Sequence, residues 1–376
     1  MNLAELTSCI FLTDSDGEVI YSSIEPQCMT CVFECSVQSE IVSRCGTAGK
    51  HRRGSFATTD GQVFFCSKDR KYVESSKLFK AQIKIYSEMI GYLVKAKNSI
   101  ARQEVEKSNR LFHNLTSLNA HTIQELYAFV PQQDLSGSFS EQKRVVEQKL
   151  STNLNEAAEM FLRILKNEMS LKYEISVYKK LYDPNPAIAF ASHPIHKVVL
   201  NTVNLFSQTL AEKSVELIIY PTDARLSFDY ESMQVILYHI MENSAKYSEP
   251  SSTIYISFEE SDVAFLVAFD MTSLYIHPDE IENIFKDGYS GRQTRFSRNA
   301  GNGLGMGISK KLLELNGAQL VIIPGEPVKP GSRLAPEGLL FAKNRIAIKF
   351  DISRVINSGG SVYAKRPTRL SWSTKT

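Results

Sequence analysis

His239, Asn243 and Lys246 recur at spacings of four and three residues within Val235 to Lys246, where Ile236, Ile240 and Ala245 supply an apolar set. On a helix those three polar side chains share one face. The Asn243 amide oxygen can ligate magnesium without adding charge. An imidazole one turn earlier can move a proton or place a water, and the Lys246 ammonium can neutralise phosphate oxygens. The set suits a nucleoside triphosphate; standing alone it would equally suit a solvated helix face. Downstream, Gly301, Gly303, Gly305 and Gly307 alternate just ahead of Ile308 to Leu315. Backbone amides in such a run approach phosphate closely, and the helix N-terminus adds positive potential. A flexible loop is the plain alternative. The run follows a long irregular stretch late in the chain, which excludes a dinucleotide-binding crossover, whose glycines follow the first strand.

A second constellation lies near the start. Five of the six cysteines fall between Cys28 and Cys66. Cys28, Cys31 and Cys35 could present three thiols, with Cys66, Cys45 or His51 completing a tetrahedral site. The spacing matches no standard zinc pattern, so a zinc anchor, an iron-sulfur redox sensor and plain buried thiols all stay open. The basic run Lys50-His51-Arg52-Arg53 reads as a solvated loop or an anion contact.

These groups need elements to hold them. Cys9 to Thr13 and Val19 to Ser22 flank the turn Asp14-Ser15-Asp16-Gly17, a hairpin signature. Gly61 to Cys66 reads as a strand, and so does Gln82 to Val94, where Ile83 and Ile85 alternate before Ile90, Tyr92 and Val94. From Ile100 the apolar spacing becomes helical through Leu111, Leu115, Leu118 and Phe129; after Pro131 and Gly137 a second helical stretch runs from Ser140 to Leu181. This hairpin has more apolar face than it can cover, so a second copy completing a four-helix bundle is expected. Asp183-Pro184-Asn185-Pro186 marks a linker. Beyond it, helices at 195–214, 230–247 and 305–315 alternate with strands at 216–220, 253–259, 264–270, 318–323 and 345–352, as when helices cover one face of a mixed sheet.

Length and composition agree with several domains: 376 residues with 43% hydrophobic content exceed one core. Lysine plus arginine (43) nearly balance aspartate plus glutamate (41), which argues against nucleic acid as the partner. There is no run of eighteen apolar residues and no basic leader, so a cytoplasmic protein without a membrane span is expected, its cysteines reduced.

His239 to Tyr247, including Asn243, Lys246 and Tyr247, resembles the N-box of the histidine kinase and gyrase type ATPase superfamily, and Gly301 to Gly307 resembles its second glycine box. Ile284, Phe285 and Gly288 are similar to the Phe-box that anchors the ATP lid, over a resemblance spanning roughly residues 190 to 352. The resemblance implies that Asp270, at its strand end, reads the adenine amino group. The sequence departs there, because Asp270-Met271-Thr272-Ser273-Leu274 lacks both glycines of the first glycine box. By the same resemblance His113, in Phe112-His113-Asn114-Leu115, is the phosphoacceptor on the first hairpin helix, and His121 is a weaker rival. Asn114 stands where an acid is usual; it can orient the imidazole but cannot act as its base.

The expected fold is therefore α+β: a mixed sensory domain with the cysteine cluster (1–97), a dimeric helical hairpin with His113 (98–182), an α/β sandwich ATP-binding domain (187–356) and a disordered tail (357–376). The resemblance implies a homodimeric sensor histidine kinase that uses ATP and magnesium, answers an unknown small-molecule or redox signal, and passes phosphate to a response regulator receiver domain. The competing reading is a degenerate scaffold gated by nucleotide without efficient kinase chemistry. A gyrase-like clamp is set aside, because only a short basic tail follows the ATP module.

Overall fold

The structure, a computed structural model, describes residues 8–24, 40–45, 49–183, 185–296, 303–328, 338–357 and 367–370. The chain divides into two units, Met1–Arg110 and Leu111–Thr376. No described helix is long and apolar enough to cross a membrane.

In the first unit, β1 (Ser8–Asp14) and β2 (Val19–Ser22) form the expected hairpin, with Gly17 supplying a φ of 83° at the turn. With β3 (Glu40–Cys45), β4 (Gly49–Thr58) and β5 (Gly61–Ser67) they build an antiparallel sheet ordered β2-β1-β5-β4-β3. Two helices follow, α1 (Arg70–Glu74) and α2 (Ser76–Phe129). Residues 82–94 are thus helix, not the expected strands. Phe79, Ile83 and Ile90 are buried, whereas Ile85 and Tyr92 are 51% and 76% exposed. That is a helical stripe, and it packs on Leu12, Val63 and Phe65 of the sheet. The basic run is likewise no loop but part of β4. Arg52 pairs with Glu40 and donates to the carbonyls of Tyr72 and Val73, while the buried His51 ring bonds Ser43 and the Gly49 carbonyl.

In the second unit, α2 ends before Pro131, and α3 (Phe139–Thr152) and α4 (Leu154–Leu181) follow, divided at Asn153 where one stretch was expected. The domain continues with β6 (Phe190–Pro194), α5 (Ile195–Val203), α6 (Ser207–Glu212), β7 (Glu216–Ile219), β8 (Arg225–Asp229), α7 (Tyr230–Tyr247), β9 (Thr253–Glu260) and β10 (Ala264–Leu274). It closes with α8 (Gly305–Leu315), β11 (Ala318–Ile323), β12 (Pro327–Val328), β13 (Phe341–Asp351), β14 (Val355–Asn357) and β15 (Thr368–Leu370). The main sheet runs β11-β13-β10-β9-β7-β15 and is mixed, because β7 and β9 are parallel. β6, β8 and β14, which the sequence reading missed, form a small second sheet.

Strand parity sets the core. Phe265, Val267, Phe269 and Met271 of β10 and Ile346, Ile348 and Phe350 of β13 share one cluster with Ile236 and Ile240 of α7 and Leu312 and Leu313 of α8. Two expected boundaries move. Tyr173 and Val177 of α4 belong to this same core, so the module does not begin at 187. The tail is not wholly unstructured either: Thr368–Leu370 pairs with β7, and Arg369 bridges Glu216 at 2.7 Å.

Candidate nucleotide site

The helix that carries the polar triad is fixed at both ends. At its start Asp229 is the N-cap, accepting from the Ser232 amide (2.8 Å), the Ser232 hydroxyl (2.7 Å) and the Ala189 amide (2.9 Å). Lys180, from the last turn of α4, reaches the same carboxylate at 2.9 Å with both side chains buried. Burial alone would raise the Asp229 carboxyl, but Lys180, Ser232 and Ala189 outweigh it and hold it below the usual range. At the other end the Lys213 ammonium donates to the carbonyls of Ala245, Lys246 and Ser248 at 3.0, 2.7 and 3.0 Å. Its burial pulls its pKa down to about 8. This lysine escaped the sequence reading because it lies far from the helix it caps.

Between these ends, Asn243, Lys246 and Tyr247 are half-buried on α7. The Lys246 ammonium lies 5.5 Å from the Tyr247 ring centre, and burial lowers its pKa. His239 is buried, and neither ring nitrogen has a hydrogen-bond partner among the described residues. Glu242, a residue the sequence reading did not single out, places its carboxylate 3.8 Å from His239 Nδ1. The Glu242 side chain is 51% exposed, so the desolvation that would raise its carboxyl is only partial, and His239, Lys246 and Lys166 more than offset it and hold the carboxyl below the usual range.

The glycine box closes over this face. A Cβ at Gly305 would lie 3.0 Å from His239 Nδ1, so only glycine lets the α8 N-terminus rest against that imidazole without displacing it. A Cβ at Gly307 would meet the Phe285 carbonyl oxygen at 2.8 Å, and one at Gly303, where φ is 67°, the Tyr289 carbonyl oxygen at 2.3 Å. The alternate glycines therefore seat this loop on residues 285–289. Ile284 and Phe285 pack against the main core, as an anchor should. Buried Glu280 ties the segment down by accepting from the Tyr289 hydroxyl (2.6 Å) and the Arg292 amide (2.7 Å). Gly301 lies outside the described residues. Orphaned imidazole nitrogens, a close-approach glycine loop and an amide one turn from the histidine fit a triphosphate with its magnesium: Asn243 would hold the metal and Lys246 and the α8 amides the phosphates.

The adenine side differs from expectation. Asp270 lies inside β10 rather than at its end, and its carboxylate takes two bonds from Arg345, at 2.7 and 2.9 Å. Neighbouring residues of a strand face opposite ways, and Met271 is the one that joins the core with α7. Asp270 is therefore on the sheet face away from Asn243. The strand continues through Thr272 and Leu274, where the two missing glycines would have ended it.

His113 is exposed on α2, as is His121. Asn114 turns to α4, its amide donating to Glu174 at 3.3 Å. Of the proposed metal ligands, Cys28, Cys31 and Cys35 lie outside the described residues, and Cys66 is on β5. Among the described residues no three histidine, cysteine or acidic side chains cluster to hold a metal.

Residues 228–337 match the family described as histidine kinase-, DNA gyrase B-, and HSP90-like ATPase. Sensor protein SrrB of Staphylococcus aureus is 26% identical over 94 residues, covering 25% of this chain and 16% of that protein. Sensor protein KdpD of Clostridium acetobutylicum is 24% identical over 199 residues, 52% of this chain and 20% of that one. The chain thus spans a small part of the curated relatives it matches. Among solved structures, the mycobacterial sensor histidine kinase MprB aligns at a TM-score of 0.35 and 16% identity, over 43% of this chain and 97% of that one. Full-length ShkA in complex with AMPPNP aligns at 0.42 and 13%, over 68% and 46%. Residues 228–337 thus match the histidine kinase-, DNA gyrase B-, and HSP90-like ATPase family, and the curated relatives to which parts of the chain are similar are sensor proteins.

Proposed function

We propose that this chain is a cytoplasmic, homodimeric histidine kinase that phosphorylates His113 from magnesium ATP and hands the phosphoryl group to a response regulator. The observation that carries this is the α8 N-terminus resting on His239 one turn from Asn243, with Lys246 beside it. An imidazole nitrogen of His113 attacks the γ-phosphorus, the bond to the bridging oxygen breaks, ADP departs, and the other ring nitrogen releases its proton. Magnesium, when bound, neutralises the charge that builds on the phosphate oxygens. Asn243, Lys246 and the α8 amides position the donor, and exposure leaves His113 free to meet it. Exposed Phe112, Ile123, Phe161, Leu162 and Leu165 on the hairpin helices give a second copy an apolar face to cover.

A second reading has its own support. With Asp270 held by Arg345, adenine lacks its expected acceptor, which favours a nucleotide-gated scaffold without efficient turnover. Radiolabelled ATP separates the two. Acid-labile, alkali-stable label on the wild type that vanishes in His113→Gln supports the kinase. No label in either, while a fluorescent ATP analogue still binds, replaces it with the scaffold.

A further inference from the structure

In the sheet of the first unit Cys9 of β1 stands directly opposite Cys66 of β5, and Cys66 stands opposite Arg53 of β4. Directly paired residues on antiparallel strands share a face. The neighbouring rungs, Ile10 with Phe65 and Leu12 with Val63, fill the core under α2, so the cysteine rung belongs to the other face. Both thiols are partly exposed and not joined in a disulfide. Such cross-strand pairs hold their Cβ atoms about 4.5–5.5 Å apart. A disulfide needs about 3.5–4.5 Å, so closing the bond asks for a shift of about 1 Å. On the adjacent rung the Ser8 and Ser67 hydroxyls already meet across the same two strands, 2.6 Å apart.

We propose that Cys9 and Cys66 form a redox-responsive dithiol that a hydroperoxide closes into a cross-strand disulfide. A cationic side chain beside a thiol favours the thiolate, and Arg53, directly opposite Cys66 on β4, is the cationic residue in the same row. The Cys66 thiolate attacks the peroxide, the O–O bond breaks, and the sulfur becomes a sulfenic acid as one water leaves. The Cys9 sulfur then attacks the Cys66 sulfur, expelling a second water. Two thiols and one hydrogen peroxide give one disulfide and two waters; the sulfurs lose the two electrons that the peroxide gains.

The position suits a sensor. β5 ends at Ser67, whose hydroxyl accepts from the Asp69 amide, and Asp69 in turn caps α1, directly ahead of α2. A bond at Cys66 therefore acts on the strand end that feeds the helices. The proposal does not depend on the nucleotide chemistry above, and it gives Cys66 a partner, Cys9, that lies outside the cysteine cluster legible in the sequence.

The test is a non-reducing peptide map of the full chain after hydrogen peroxide and alkylation of remaining thiols. The expected result is a Cys9–Cys66 linked peptide that dithiothreitol separates, and in Cys9→Ser a persistent, dimedone-reactive sulfenic acid at Cys66. The wild-type map stands by itself if the variant does not fold. Cys66 joined to Cys28, Cys31, Cys35 or Cys45, or Cys9 and Cys66 both fully alkylated after peroxide, overturns the proposal. So does a stoichiometric bound metal whose removal is required before either thiol reacts. Unchanged oxidation of Cys66 in Arg53→Gln overturns the part given to Arg53.

Discussion

Lys180→Met removes the cation that faces Asp229 and keeps most of the side-chain volume. The two side chains are 8% and 4% exposed and 2.9 Å apart, so a charged Asp229 would be left in a site that solvent does not reach. Breaking a buried pair from one side costs about 3–5 kcal/mol. Three hydrogen bonds from Ser232 and Ala189 remain on the carboxylate, which places the expected loss near 3 kcal/mol. Urea unfolding of the full chain, followed by near-ultraviolet circular dichroism, measures it. The pH dependence gives an independent check. In the wild type the Asp229 carboxyl is held below its unfolded value. It therefore contributes stability that is present above about pH 4 and is lost as pH falls through the folded pKa. Without Lys180 the share of that contribution owed to the ammonium is lost while the share owed to Ser232 and Ala189 remains, so the gap between variant and wild type should be widest at neutral pH and narrow on acidification. A loss under about 0.5 kcal/mol, or a gap that widens in acid, would refute the reasoning.

Other expectations follow from the nucleotide site. Asn243→Ala should weaken a fluorescent ATP analogue by about tenfold or more in magnesium and change little in a chelator; equal affinity in magnesium removes Asn243 from the metal. Gly305→Ala pushes a methyl group to 3.0 Å from His239 Nδ1 and should likewise lower nucleotide affinity with the far-ultraviolet spectrum unchanged. Asp270→Asn should leave nucleotide affinity as it is and cost at most about 1 kcal/mol of stability, because its pair with Arg345 is about one-third exposed. A clear loss of binding would return Asp270 to the adenine pocket. Fragment 100–182 should be dimeric by light scattering at micromolar concentration, and monomer mass there would sink the bundle.

The sequence was most legible where local signals agree. Residues 230–247 begin at a capping Asp229 and keep one polar face, and 305–315 start at the glycine run, so both helices appear at their expected bounds. The segment 82–94 misled because Ile83 and Ile85 alternate, while the stripe that decides, Phe79, Ile83 and Ile90, is set by the sheet beneath it. Asp270 was placed by its position in a motif; strand parity, which a single residue reverses, decides which way its side chain faces. β15 had no local signal at all. Three residues in a polar tail become a strand only because β7 offers them an unpaired edge. Lys180, Lys213 and Glu242 lacked any motif, since the first two act on a helix distant in sequence and the third looked like an ordinary surface acid.

The way α4 ends has a mechanical consequence. Its final turns behave as a shaft seated in a socket: Tyr173 and Val177 are sunk in the core, the Ser170 and Tyr238 hydroxyls meet at 2.5 Å, and Lys180 is keyed to the first turn of α7. A shaft held at three heights cannot turn or slide without dragging its socket. Torque applied along α4 is therefore delivered to the helix bearing His239 and Asn243, and a fragment cut at residue 187 would leave that socket open to water.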